Sequence, residues 1–254
     1  MSGVAAAFAA ASSSRALLVG YLPAGFAKPE TFKAMVDNGV DVVEVGLPYS
    51  DPLMDGPVIQ AAVQRALEAG TTTRDVLATV EAVAAWAPTV VMTYWNPVER
   101  YGVDAFARDL AAAGGAGMIT PDLIPEEAAP WLAAAGAYGL DPVFLVAPSS
   151  TEARLRVVAE TNRGFVYAAS TMGVTGTRDA VSDVAPGLVG RVREVTSLPV
   201  AVGLGVSNGA QAAAVAAYAD GVIVGSAFVR AASDGDAAVA TLATDLAAGC
   251  RTHR

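Results

Sequence analysis

Eight short runs of β-branched and apolar residues alternate along this chain with stretches of helical periodicity, and that alternation constrains the fold more than any other feature. The runs fall at residues 16–20, 41–45, 89–93, 117–120, 142–146, 164–168, 200–203 and 221–224. Helical spacing fills 30–38, 58–68 with 73–85, 103–113, 125–135, 151–160, 185–195, 208–217 and 236–248, and several of these open at Ser, Thr, Asp or Asn. Strands alternating with helices make a parallel sheet covered by helices. Eight units without a linker-like break predict one α/β domain over residues 1–254, a (β/α)8 TIM barrel rather than an open doubly wound sheet. Residues 1–14 are alanine-rich, lack the basic start of a signal peptide and break at Ser12-Ser13-Ser14, so they predict a short extra N-terminal helix.

Composition excludes several classes of function. With 254 residues, 54% of them hydrophobic, the chain can bury a substantial core. A formal charge of −9 without a basic cluster argues against nucleic acid or an anionic membrane surface as partner. No stretch reaches the roughly 18 uninterrupted apolar residues of a membrane span. A single cysteine, Cys250, placed in the C-terminal tail, gives neither a disulfide framework nor a thiol metal site and fits a reducing cytoplasm.

Barrel chemistry gathers at the C-terminal ends of the strands, which sorts the candidate residues. Glu44 ends the second run, and an ionised carboxylate in a strand is paired, exposed in a cleft or held for proton transfer. The turn after it, Ser50-Asp51-Pro52-Leu53-Met54-Asp55-Gly56-Pro57, carries two aspartates. Tyr94 and Asn96 follow the third run, Asp122 the fourth, and Tyr167 lies in the sixth. Tyr94-Trp95-Asn96-Pro97 reads equally as a packed aromatic with a turn residue, and Asp122 as a loop brace or helix cap. Glycine-rich turns, Gly173-Val174-Thr175-Gly176, Gly203-Leu204-Gly205 and Gly225-Ser226, close the last three units. There backbone N–H groups and a helix starting at Ser226 suit a phosphate.

The missing residues narrow the chemistry further. Lys28 and Lys33, the only lysines, both follow the first run, so a Schiff-base lysine inside the barrel is not expected. The only histidine, His253, is in the tail, leaving no histidine base, no Ser/His/Asp triad and no histidine set for a catalytic zinc. Proton transfer falls to carboxylates or tyrosine, and carbon–carbon cleavage then requires a substrate that supplies its own electron sink.

The strand-end Glu44, the Ser50-Asp51-Pro52-x-x-Asp55-Gly56-Pro57 turn, Tyr94-x-Asn96, Gly173-Val174-Thr175-Gly176, Gly203-x-Gly205 and Gly225-Ser226 together resemble the tryptophan synthase α chain family. The likeness runs from about Leu18 to Phe228, and segments such as Thr93-Tyr94-Trp95-Asn96-Pro97 resemble its actinobacterial branch. The resemblance implies cleavage of indole-3-glycerol phosphate to indole and glyceraldehyde 3-phosphate, with the indole ring as electron sink. It implies Glu44 as principal acid/base, Asp55 as acceptor of the indole N–H and Tyr167 as an assisting group. Gly176, Gly205, Gly225 and Ser226 would hold the phosphate, Tyr94 and Ile119 would line the indole pocket, and Thr175 would close over substrate and hydrogen-bond Asp55. The implied partner is a β chain in an αββα heterotetramer, reached through the 50–57 loop. Pyridoxal phosphate would belong to that partner, and the chain itself would carry no cofactor or metal.

Met54 and Thr171-Met172 depart from the commonest family pattern and bear on loop dynamics rather than chemistry. The segment Val19-Gly20-Tyr21-Leu22-Pro23-Ala24-Gly25 also differs, and no residue there is assigned to substrate. Three other readings stand beside the subunit lyase: a free-standing lyase that releases indole, a regulatory subunit with a degenerate site, and another phosphate-binding barrel such as a sugar isomerase.

Overall fold

The computed structural model describes residues 3–11, 15–169, 184–203 and 205–251. In chain order its elements are α1 (Gly3–Ala11), β1 (Leu17–Pro23), α2 (Pro29–Asp37), β2 (Val42–Gly46), α3 (Pro57–Glu68), α4 (Thr73–Ala84), β3 (Thr89–Met92), α5 (Trp95–Tyr101) and α6 (Val103–Ala112). They continue with β4 (Gly117–Thr120), a 3-10 turn (Pro125–Glu127), α7 (Ala129–Tyr138), β5 (Asp141–Val146), α8 (Glu152–Thr161), β6 (Val166–Ala169) and α9 (Val184–Arg193). The last are β7 (Val200–Gly203), α10 (Gly209–Ala216), β8 (Gly221–Val224), α11 (Ser226–Asp234) and α12 (Asp236–Arg251). The strands pair in parallel in sequence order, and β1 closes on β8 through Leu17 opposite Gly221 and Val19 opposite Ile223. This is the (β/α)8 barrel expected from the alternation.

Strand alternation divides the core into two clusters. Leu17, Val19, Val42, Val90, Ile119, Val143, Ala201 and Ile223 pack inside the barrel. Leu18, Val43, Val91, Met118, Phe144, Val166, Val202 and Val222 belong to the cluster shared with the helices. A parallel sheet buried on both faces needs such continuous apolar strands. α1 supplies Val4, Phe8 and Ala11 to the inner cluster, and the Phe8 ring lies 5.5 Å from that of Phe165. The extra helix therefore plugs the barrel at the end where its strands begin. Arg15 pairs with Asp41 at 2.6 Å just beside it, and the same carboxylate accepts the Leu18 N–H.

Most element boundaries fall within a few residues of the sequence expectation, because caps mark them. Thr72 and Asp75 form a reciprocal capping box on α4, and Asn208 accepts the Gln211 N–H at 2.9 Å on α10. Two differences have clear causes. Residues 95–101 form α5 where the sequence suggested only a turn, since Pro97 sits in the first turn, where its missing N–H is no loss. Cys250 lies within α12, buried at 2% exposure, rather than in a free tail.

Candidate active site

Inward alternation along β2 points Glu44 the same way as Val42, toward the interior, and in the register Tyr21 of β1 lies opposite Glu44. A cavity opens at the barrel mouth. Glu44, Asp55, Tyr94, Tyr167, Gly205, Gly225 and Ser226 all line it. These residues come from distant parts of the chain, and the barrel brings them to one place.

Glu44 is the electrostatic centre. It is 1% exposed, burial alone pushes its pKa up to about 8, and Oε1 has no hydrogen-bond partner among the described residues. A buried carboxyl left without a donor stays protonated at neutral pH, poised both to give a proton and to take one back. Asp55 is also raised by burial, with the Tyr94 hydroxyl hydrogen bond opposing that rise. The Tyr94 hydroxyl, itself raised to about 12 chiefly by burial and then by Asp55, also accepts the Met54 N–H at 2.9 Å. Tyr21 and Tyr167 are raised well above the ordinary tyrosine range, first by burial and then by the charges of Asp55 and Glu44. Both hydroxyls therefore stay protonated and serve as neutral donors.

Two glycines make room for these tyrosines. A Cβ on Gly46 would stand 2.5 Å from the Tyr21 hydroxyl, and one on Gly203 would stand 2.7 Å from that of Tyr167. Across the cavity, Gly205 takes φ +74°, a conformation that favours glycine, and α11 begins at buried Ser226 with no side-chain cap. No lysine or arginine lines this cavity among the described residues, so an anion there would meet backbone N–H groups and the positive end of α11.

Several sequence expectations are relocated. Ile119 is fully buried in the inner cluster, which includes the cavity-lining Ile223 and against which the cavity-lining Met92, Leu145 and Tyr167 pack. Asn96 is exposed on α5, away from the cavity. Asp122 acts as a helix cap, accepting the Trp95 N–H at 2.9 and 3.1 Å. Thr175, Gly176 and the Thr171-Met172 pair lie outside the described residues. Sequence reading missed Tyr21, Leu47, Tyr49, Met54, Ile59 and Leu145, all of which line the cavity. For Tyr21 a signal existed: the alternation of Leu17 and Val19 into the barrel carries Tyr21 inward as well.

Among the described residues no group of three or more His, Cys, Asp and Glu is placed to hold a metal ion, and no helix is long and apolar enough to cross a membrane. Fold and site define a (β/α)8-barrel enzyme with buried carboxylate and phenol groups at its mouth. The family model described as tryptophan synthase alpha chain matches residues 8–254. The tryptophan synthase alpha chain of Nocardia farcinica is 60% identical over 248 residues, covering 96% of this chain and 93% of that one. A structure of Mycobacterium tuberculosis tryptophan synthase superposes with a TM-score of 0.95 at 56% identity, covering 99% of each chain. A tryptophan synthase a2b2 complex structure from Pyrococcus furiosus gives 0.82 at 33% identity, covering 92% of this chain and 97% of the other. The chain belongs to the tryptophan synthase alpha chain family.

Proposed function

We propose that this chain cleaves indole-3-glycerol phosphate to indole and glyceraldehyde 3-phosphate, with Glu44 as acid and then base. The single observation that carries the reading is the buried Glu44 carboxyl, protonated and with an unpartnered oxygen, lining the same cavity as Asp55 and the neutral Tyr167 hydroxyl. A proton delivered from Glu44 to indole C3 makes the ring a cationic electron sink. Asp55 accepts the indole N–H and stabilises the positive charge that develops there. The Glu44 carboxylate left behind removes the proton of the hydroxyl on the carbon bonded to C3. The carbon–carbon bond then breaks, its electrons return to the ring, and the aldehyde is released. One proton enters at carbon and one leaves from oxygen, so Glu44 returns to its starting state. Tyr167 supplies a donor beside the same atoms.

Gly205, Gly225 and Ser226, joined by Gly176, hold the phosphate through backbone groups and the start of α11, and Tyr94 lines the indole pocket. Thr175 closes over the bound substrate and hydrogen-bonds Asp55. The partner is a β chain, in an αββα heterotetramer, that takes the indole and holds the pyridoxal phosphate; this chain uses no cofactor of its own. Leu53 and Ile124, exposed at 72% and 44% on the loops after β2 and β4, suit that docking face. The complex works in the cytoplasm.

The test is indole release from indole-3-glycerol phosphate by the purified chain, alone and with increasing β chain from a close relative. Slow release that rises and saturates with β chain supports the subunit reading. Fast release that a bound β chain leaves unchanged identifies a free-standing lyase, and no release under either condition refutes the catalytic assignment.

A further inference from the structure

We propose that Asp122 is a positioning residue for the reaction: it caps α5 from the loop after β4 and thereby fixes Tyr94 against Asp55. The inference rests on the proposed role of Asp55 as a group that touches substrate.

Tyr94 occupies the N-cap position of α5, with extended backbone at φ −75° and ψ 162°, but its side chain makes no cap. A residue at that position ordinarily satisfies its own helix with a short polar side chain. Tyr94 instead turns into the cavity, where its hydroxyl accepts the Met54 N–H at 2.9 Å and donates to Asp55. The cap is supplied from another loop, 27 residues away, by Asp122, whose two carboxylate oxygens take the Trp95 N–H at 2.9 and 3.1 Å. The Trp95 N–H belongs to the peptide that joins Trp95 to Tyr94, so the cap holds the backbone of both.

The helix being held is short. α5 spans seven residues and contains Pro97, so it has little cooperative stability with which to keep its first turn in place. Asp122 does not line the cavity, which separates it from the reacting atoms. Its influence runs through one backbone N–H to Tyr94, and from the Tyr94 hydroxyl to both Met54 and Asp55. Burial favours the neutral form of Asp55 and the Tyr94 hydrogen bond favours its ionised form. Loosening Tyr94 therefore removes the group that keeps Asp55 ready to accept the indole N–H.

The experiment is the pH dependence of indole-3-glycerol phosphate cleavage, measured with saturating β chain, for Asp122→Ala and Asp122→Asn alone and in a Tyr94→Phe background. Asp122→Ala is expected to lower kcat/KM by about tenfold or more, as a displaced positioning contact does. Its acid limb should move to higher pH, since the rate falls once Asp55 protonates. Asp122→Asn keeps an oxygen to accept the Trp95 N–H and should retain both the rate and the limb. In the Tyr94→Phe background Asp122→Ala should add no further loss, because its effect passes through the missing hydroxyl. Additive losses, equal damage from Asn and Ala, or an unmoved acid limb with only a lower melting temperature would each overturn the proposal. Glu44→Gln distinguishes the failures: if it too retains turnover, the functional reading fails, whereas an inactive Glu44→Gln beside a normal Asp122→Ala sinks the brace alone.

Discussion

Gly225→Ala separates phosphate recognition from folding. A Cβ at this position would meet Tyr21 Cδ1 at 3.4 Å and Ile59 Cδ1 at 3.7 Å, ordinary van der Waals contacts, and the backbone at φ −115° lies outside the left-handed region that favours glycine. Folding should therefore lose little, and the entropy removed from the unfolded chain offsets part of any loss. The methyl group would nonetheless stand at the edge of the cavity beside Ser226, where α11 begins. An anion pushed off the helix start loses one charge-assisted hydrogen bond at ~1.5–3 kcal/mol, so its affinity should fall roughly 10- to 100-fold. Inhibition constants for indolepropanol phosphate and for its dephosphorylated counterpart, with thermal melts of both proteins, make the assay. The phosphorylated ligand should weaken by that factor, the unphosphorylated one by much less, and the melting temperature should stay within a few degrees. Equal weakening of both ligands would place the phosphate elsewhere.

Other consequences follow from the same geometry. Glu44 remains protonated in the folded chain up to about pH 8, whereas an unfolded glutamate ionises near 4.5, so its stabilising contribution is complete below pH 4.5, declines above it and is gone beyond pH 8. At 1.36 kcal/mol per pH unit the span reaches at most about 5 kcal/mol, so the stability advantage of Glu44→Gln should grow from pH 5 to pH 9 in denaturant titrations; a constant difference would contradict the buried neutral carboxyl. Gly46→Ala drives a methyl against the Tyr21 hydroxyl and should cost about 1–3 kcal/mol in stability while raising KM, and unchanged kinetics would show that Tyr21 does not shape the site. Phe8→Ala removes the plug against Phe165 and should cost about 3–5 kcal/mol on chemical denaturation with turnover per folded molecule preserved; a small loss would mean that α1 does not complete the barrel core.

Periodicity made the barrel legible, since a parallel sheet covered on both faces demands eight apolar runs and helices between them. Its closure, the plug of α1 and the register of Tyr21 opposite Glu44 depend on contacts between distant segments, and only the inward direction of Tyr21 could be read from alternation along a single strand. Glu44 stood out because a carboxylate in an apolar strand conflicts with its surroundings, and such conflicts gather at functional sites, whereas Asp55 stood out through the turn that follows and the family resemblance. The depth of Ile119 was not legible, because alternation says that a side chain points inward but not how deep its layer lies. Asp122 was visible as a brace or cap, yet its target, the Trp95 N–H, required α5, which Pro97 concealed. Tyr21 went unassigned because it lies in a segment that departs from the family pattern, although strand alternation carries it to the cavity wall.

The most direct test of the account is indole release by Glu44→Gln, measured with saturating β chain and indole-3-glycerol phosphate beside the wild-type chain. An amide keeps the size of the side chain but can neither give nor take the proton, so turnover should drop by at least ~100-fold while the circular dichroism spectrum and β-chain affinity stay unchanged. Near-wild-type turnover in that folded, partner-bound variant would contradict the assignment of the chemistry to this buried carboxyl.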